Sequence, residues 1–185
     1  GTLMGAGSVA AACKAACDDG CRPGVDYEGE YRVDWTQALG TVARPTIHST
    51  FGYAAQLVVM DRPTGAIERV VAVHDVGRAV NPLLCDGQIV GAVHMGLGYA
   101  LSEDFPTDDD ARPTHTTLRQ LGILRAKDVP PIDVVLVEQP QPRAPYGIKG
   151  VGEIGLVPTA GAVAGALHDL DGEWRATLPM RRTGS

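Results

Sequence analysis

"FGYAAQLVVMDRPTGAIERVVAVHDVG", residues 51–77, carries two apolar runs, 51–60 and 67–76, separated by "DRPTGA". Proline and glycine stand where a tight connection needs them, so the stretch reads as two strands joined by a turn. Both alternating faces are apolar: Phe51, Tyr53, Leu57 and Val59 oppose Ala54, Val58 and Met60. The pattern predicts a sheet buried on both sides.

Working outward, "NPLLCDGQIVGAVHMGLGYALSE" predicts a helix opened by Asn81 as N-cap with Pro82 at its first helical position. Gly87, Gly91 and Gly98 each weaken such a helix by about 1 kcal/mol relative to alanine, so close approach of another backbone or a ligand is expected there. A short helix near 117–125 and a strand "IDVVLVE", 132–138, follow. The last predicted element is a helix from Leu156 to Leu167 with Pro158 in its first turn, where a missing N–H costs little. On the other side, the alanine-rich run from Gly7 to Asp18 predicts a helix stopped by "DDGCRPG", and "EYRVDW", 30–35, reads as a strand. The acidic "EDFPTDDDAR" reads as a solvated loop without EF-hand spacing.

The chain has 185 residues, 44% of them hydrophobic, and a formal net charge of −6. That is enough for one sizeable core or two smaller ones. The acidic balance argues against a surface that tracks nucleic-acid phosphates. No apolar run reaches the roughly 18 residues of a membrane span, and no signal peptide is visible, which points to a cytoplasmic protein. The opening glycine, followed at once by "MGAGSVAAACKAAC", suggests a piece of a longer chain.

Several motifs have a plain reading and a chemical one. Gly5, Gly7 and Ala10 fit the G-x-G-x-x-A fingerprint of dinucleotide sites, although no preceding strand is visible; helix packing, or an anion received by the helix N-terminus, are the other readings. Cys13, Cys17 and Cys21 recur every four residues but lack a CxxC pair and a fourth ligand. The five histidines have no zinc spacing, so no protein-ligated metal is expected. Asp75 and Arg78 read as an ion pair near a strand end. Gln88, whose amide both donates and accepts, and Glu153, a lone carboxylate in "YGIKGVGEIGLVPTAGAVAGAL", read individually as structural polar groups.

Taken in order, "FGYAAQ", "HDVGRAVNPLLCDGQIVGAVHMGLGYALSE" and "GIKGVGEIGLVPTAGAVAGAL" resemble the molybdenum-cofactor-binding subunit of the xanthine dehydrogenase and aldehyde oxidase family, over about Gly5 to Met180. The wording is most similar to the bacterial purine or xanthine dehydrogenase branch. The resemblance implies an α+β fold, a mixed sheet with packed helices, and makes residues 1–185 the C-terminal lobe of a molybdopterin-binding domain. It implies that Gln88 approaches the apical oxo ligand of molybdenum and that Glu153 is the general base. Thr2, Gly5, Gly7, Ser8 and Gly152 would lie against the pyranopterin cofactor. Many relatives continue "GE" with proline, where this chain has Ile154 and Gly155.

The implied reaction is hydroxylation of an electron-poor carbon: a carboxylate deprotonates a molybdenum-bound hydroxide that attacks the carbon, and the carbon's hydride passes to the metal centre. A purine such as xanthine or hypoxanthine is the implied substrate, with an aldehyde or another N-heterocycle as the alternative. The resemblance further implies iron–sulfur and FAD modules on partner subunits or domains, a missing N-terminal part of the large subunit, and no turnover by this chain alone. The rivals from other classes are a non-catalytic structural subunit and a nucleotide-binding module using "GAGSVA".

Overall fold

The computed structural model describes residues 1–180, which divide into two units. The first comprises residues 1–52, 75–80 and 138–150; the second comprises 53–74, 81–137 and the chain from 151 onward.

In the second unit, the two apolar runs become β1 (Ala54–Met60) and β2 (Ile67–Asp75), paired antiparallel with Ala54 opposite His74 and Val58 opposite Val70. The connection between them is the expected turn. Asp61 accepts from the amide of Thr64, and the amide of Asp61 donates back to Ala66. β3 (Ile132–Val137) lies beside β2, giving a three-stranded mixed sheet in the order β1-β2-β3. Between β2 and β3 the chain runs through α2 (Pro82–Leu101), which begins as expected: Asn81 Oδ1 accepts from the amide of Leu84 at 3.1 Å, and Pro82 follows. α3 (Thr159–Asp171) closes the unit and ends at Gly172 in the left-handed region, φ 78°. The core lies where α2 and α3 cover one sheet face, from Val58, Val70 and Ala72 through Ile89, Val93 and Leu97 to Val163 and Leu167, all buried.

Among the described residues of the second unit, no helix covers the other sheet face. Leu57 is 60% exposed, and β3 alternates half-buried with exposed residues. The expected two-sided burial is therefore corrected to one-sided, because the chain's helices supply a single covering layer. Three further expectations change. "EYRVDW" is not a strand but an extended segment of the first unit, where Trp35 donates to the carbonyl of Ser49 at 3.3 Å and lies 5.9 Å from the Arg143 guanidinium. The helix near 117–125 is a set of turns stapled by the Gln120 side chain, which accepts from the amides of Thr116 and Thr117 and the Thr117 hydroxyl. The final helix starts at Thr159 rather than Leu156, since turns occupy 154–158.

In the first unit, α1 spans Thr2–Asp18, starting earlier than the alanine run suggested. The words "HDVG" and "YGIKG" are knitted together here. The amide of Arg78 donates to Gly147 O at 3.0 Å and that of Lys149 to Val76 O at 3.2 Å. Gly77, at φ 66°, has no room for a side chain: a Cβ would stand 2.6 Å from Gly147 O and 2.8 Å from the Lys149 amide. Asp75 does not pair with Arg78. Its carboxylate meets Lys149 Nζ at 2.5 Å, with both side chains 7% exposed, and also accepts from the Gly77 amide at 3.0 Å. Burial alone raises the Asp75 pKa, but the Lys149 and Gly77 hydrogen bonds outweigh it and hold the carboxyl below its ordinary value. Among the described residues no helix is long and apolar enough to cross a membrane.

Two predictions follow from buried charge. Removing one partner of the Asp75–Lys149 pair leaves the other buried without its counter-charge, so Lys149→Met should destabilise the chain by about 3–5 kcal/mol, whereas joining it with Asp75→Leu should recover most of the loss. Urea unfolding of the single and double variants checks this. The second concerns His74, fully buried on β2 and held below its ordinary pKa of 6.5 by desolvation. Between the folded and unfolded pKa values the unfolded chain binds more protons, so stability should fall as pH drops below about 6.5 and be fully present above it. A urea midpoint equally high at pH 5.5 and 7.5, or a fall undiminished in His74→Met, would contradict this.

Candidate active site

The two residues singled out by their words, Gln88 and Glu153, both belong to the second unit and both are exposed. Gln88 lies in the second turn of α2. Its neighbours Gly87 and Gly91 have no atom within 4 Å of where a Cβ would stand, so this stretch of helix presents bare backbone to open space on either side of the amide. The glycine expectation for α2 divides accordingly. Gly87 and Gly91 are open, Gly98 meets the Glu103 carboxylate, and the close helix approach occurs at Gly96, which sits against the Thr159 side chain of α3.

Glu153 begins a tight turn: its carbonyl accepts from the amide of Leu156 at 3.1 Å, with Ile154 and Gly155 between them. Gly155 is buried against α2. A Cβ there would stand 2.8 Å from Ala92 Cβ and 3.0 Å from Ile89 O, so the missing side chain is what lets the turn rest on the helix. This seats the Glu153 turn on the helical step that begins one residue after Gln88. Gly155, two residues after Glu153, thereby touches Ile89, the residue after Gln88. Among the described residues, no hydrogen bond or ion pair ties down the side chain of Gln88 or Glu153.

The Gly155 carbonyl is held from two directions. Gln56 Nε2, from β1, donates to it at 2.7 Å, and Thr159 Oγ1, from the first turn of α3, donates at 2.9 Å. Thr159 is fully buried, and Gln56 also lies 3.3 Å from His74 Nε2 on the neighbouring strand. None of these three polar residues was marked by the sequence. Their only signal was polarity at positions of an otherwise apolar pattern, and a register is needed to read it.

Of the other residues expected at a cofactor, Thr2, Gly5, Gly7 and Ser8 lie on α1 of the first unit and Gly152 in the second unit. Thr2 and Gly5 are exposed, and Gly5 has open space beside it. Gly7 is buried beneath the Tyr31 ring, which accounts for its lack of a side chain. The Ser8 hydroxyl donates back to Met4 O at 3.1 Å within the helix. Gly152, beside Glu153, is exposed with nothing close to it. Cys13, Cys17 and Cys21 are exposed free thiols, and among the described residues no group of three or more His, Cys, Asp or Glu side chains is arranged to hold a metal ion.

Residues 4–130 match the family model of the molybdopterin cofactor-binding domain. The chain is 34% identical over 135 residues to the gamma subunit of the 6-hydroxypseudooxynicotine dehydrogenase complex of Paenarthrobacter nicotinovorans, covering 70% of this chain and 17% of that protein. It is 33% identical over 155 residues to a protein of Escherichia coli named "Probable hypoxanthine oxidase XdhD", covering 81% of this chain and 16% of that one. Among solved structures, the aldehyde oxidoreductase of Desulfovibrio gigas superposes with a TM-score of 0.78 at 26% identity, covering 92% of this chain and 21% of that one. The chain therefore spans about a sixth of the length of these two sequence relatives. Helices packed on a mixed sheet, the ordered sequence words and the family match agree: this chain belongs to the molybdopterin cofactor-binding domain family.

Proposed function

We propose that residues 1–185 form the C-terminal part of the cofactor-binding domain of a molybdenum hydroxylase, in which Glu153 is the general base and Gln88 a cofactor-facing amide. The observation that carries this reading is the seating of the Glu153 turn on α2 at Ile89 and Ala92, immediately beyond Gln88. The residues present suit a molybdenum–pyranopterin group. An exposed amide flanked by bare backbone at Gly87 and Gly91 leaves room for a large cofactor, and its amide can donate to an oxygen ligand. When bound, that group supplies a Lewis acid and an acceptor for two electrons.

The chain's own residues do the rest. The Glu153 carboxylate takes a proton from the attacking oxygen, and the backbone on its two sides, bare at Gly152, leaves the approach to that carboxylate unobstructed. The hydrogen bond from the Leu156 amide to Glu153 O keeps the turn closed.

The substrate we propose is a purine, supported by the 33% identity to the protein named a hypoxanthine oxidase over 81% of this chain. An aldehyde is the second reading, favoured by the structural likeness to an aldehyde oxidoreductase. The remainder of a large subunit and separate iron–sulfur and FAD subunits or domains are the proposed partners, in keeping with a relative named as one subunit of a dehydrogenase complex.

The test uses the complete enzyme purified with its partners. Elemental analysis should find molybdenum, and dye reduction should be driven by xanthine or hypoxanthine more efficiently than by aldehydes. Glu153→Gln keeps the shape and loses the base: turnover should fall about 10²–10⁴-fold with molybdenum content unchanged. Near wild-type turnover would remove Glu153 from the mechanism, and a complex without molybdenum or activity would favour a structural subunit.

A further inference from the structure

Glu153 stands on an exposed turn, yet a general base must be held to within a fraction of an ångström of its working position. What holds it is two residues away. The carbonyl of Gly155 receives Gln56 Nε2 at 2.7 Å and Thr159 Oγ1 at 2.9 Å, while the α-carbon of the same residue rests on Ile89 and Ala92. Gly155 and the peptide that follows it are thereby fixed from three elements: β1, α2 and α3.

We infer that Gln56 and Thr159 are positioning residues for Glu153, acting as a two-donor clamp on the Gly155 carbonyl. The inference rests on the reading of Glu153 as the base. Each donor is itself held. Thr159 is fully buried, and its Cβ and hydroxyl occupy the space left by Gly96 of α2, where a Cβ would come within 2.6 Å of the hydroxyl oxygen. Gln56 faces Ala72 across the β1–β2 pair, a residue small enough to leave its amide free to reach toward α3. The amide cannot be turned over, since that would set its oxygen against the Gly155 oxygen. With the NH₂ group so oriented, its second hydrogen is directed to His74 Nε2 at 3.3 Å, which must then be the unprotonated nitrogen of a neutral ring. His74 thus braces Gln56 as Gly96 seats Thr159.

The clamp has a consequence for the departure at residues 154 and 155. A turn with proline after the glutamate is stiffened by its fixed φ, whereas Ile154–Gly155 is intrinsically freer. In this chain stiffness is supplied by hydrogen bonds from outside the turn.

The experiment compares Thr159→Val, Thr159→Ser and Gln56→Met in the complete enzyme, each alone and in the Glu153→Gln background. Thermal unfolding and molybdenum content are measured on every variant. With the base misplaced, Thr159→Val and Gln56→Met should each lower kcat about 10- to 100-fold with little change in KM, while Thr159→Ser, which keeps the hydroxyl, should restore most of the rate. In the Glu153→Gln background neither clamp variant should lower the residual rate further, because the group they position is gone. Wild-type kcat in both clamp variants overturns the inference, and so does a loss that adds in full to that of Glu153→Gln, since it would then act through something else. If Thr159→Val does not fold, Gln56→Met on the edge strand decides alone. A Glu153→Gln enzyme with undiminished turnover defeats the base reading itself, an outcome distinct from clamp variants that leave kcat untouched while Glu153→Gln abolishes it.

Discussion

The second unit depends on a contact that only a residue without a side chain can make. Gly155 rests against Ile89 and Ala92 of α2 at distances where a Cβ would collide, and through this contact the chain between the sheet and α3 gains a fixed floor. An equivalent approach recurs one turn further along the same helix, where Gly96 admits Thr159. The two contacts set the spacing of α2 and α3, and the core residues Ile89, Val93, Leu97 and Val163 fill the volume that spacing leaves. Polar groups then complete what packing begins, because a carbonyl buried in such a contact must find donors or lose roughly 1–3 kcal/mol.

In the first unit a buried charge pair lies beside buried apolar residues such as Val76 and Ile148. A carboxylate and an ammonium, both nearly inaccessible to water, face each other at Asp75 and Lys149, with backbone amides sharing the load on the carboxylate. Such a pair adds little net stability compared with apolar groups of the same size, but it is intolerant of being half made. It therefore selects one register between the words "HDVG" and "YGIKG" over its neighbours.

Much of this was legible in the chain itself where a local rule sufficed. The β1–β2 turn, the Asn81–Pro82 helix start and the third strand each follow from a few adjacent residues, and the structure has all of them. Elements that needed a partner were misread. "EYRVDW" has strand composition but no strand beside it, and the doubly apolar runs at 51–60 suggested a second covering layer that is absent among the described residues of the second unit. At the candidate site, Gln88 and Glu153 stood out only through an ordered set of words, since neither has a spacing that marks it. Gln56 and His74 were invisible for a physical reason: their partners lie across a strand pair or in the turn before α3, and a hydrogen bond between residues ninety-nine positions apart leaves no periodicity.

Gly155 also bears on how related chains should be compared. Because the space for a side chain at 155 is taken by Ala92 Cβ and the carbonyl of Ile89, positions 92 and 155 form one steric unit although they lie on different elements. A homologue with proline at the second of these cannot keep the same helix spacing with alanine at the first. It must draw the helix back, since a smaller residue at 92 alone leaves the Ile89 carbonyl in place. Substitutions at the two positions are therefore expected to be coupled over evolution, and a family tree that treats the two columns as independent would count one structural event as two.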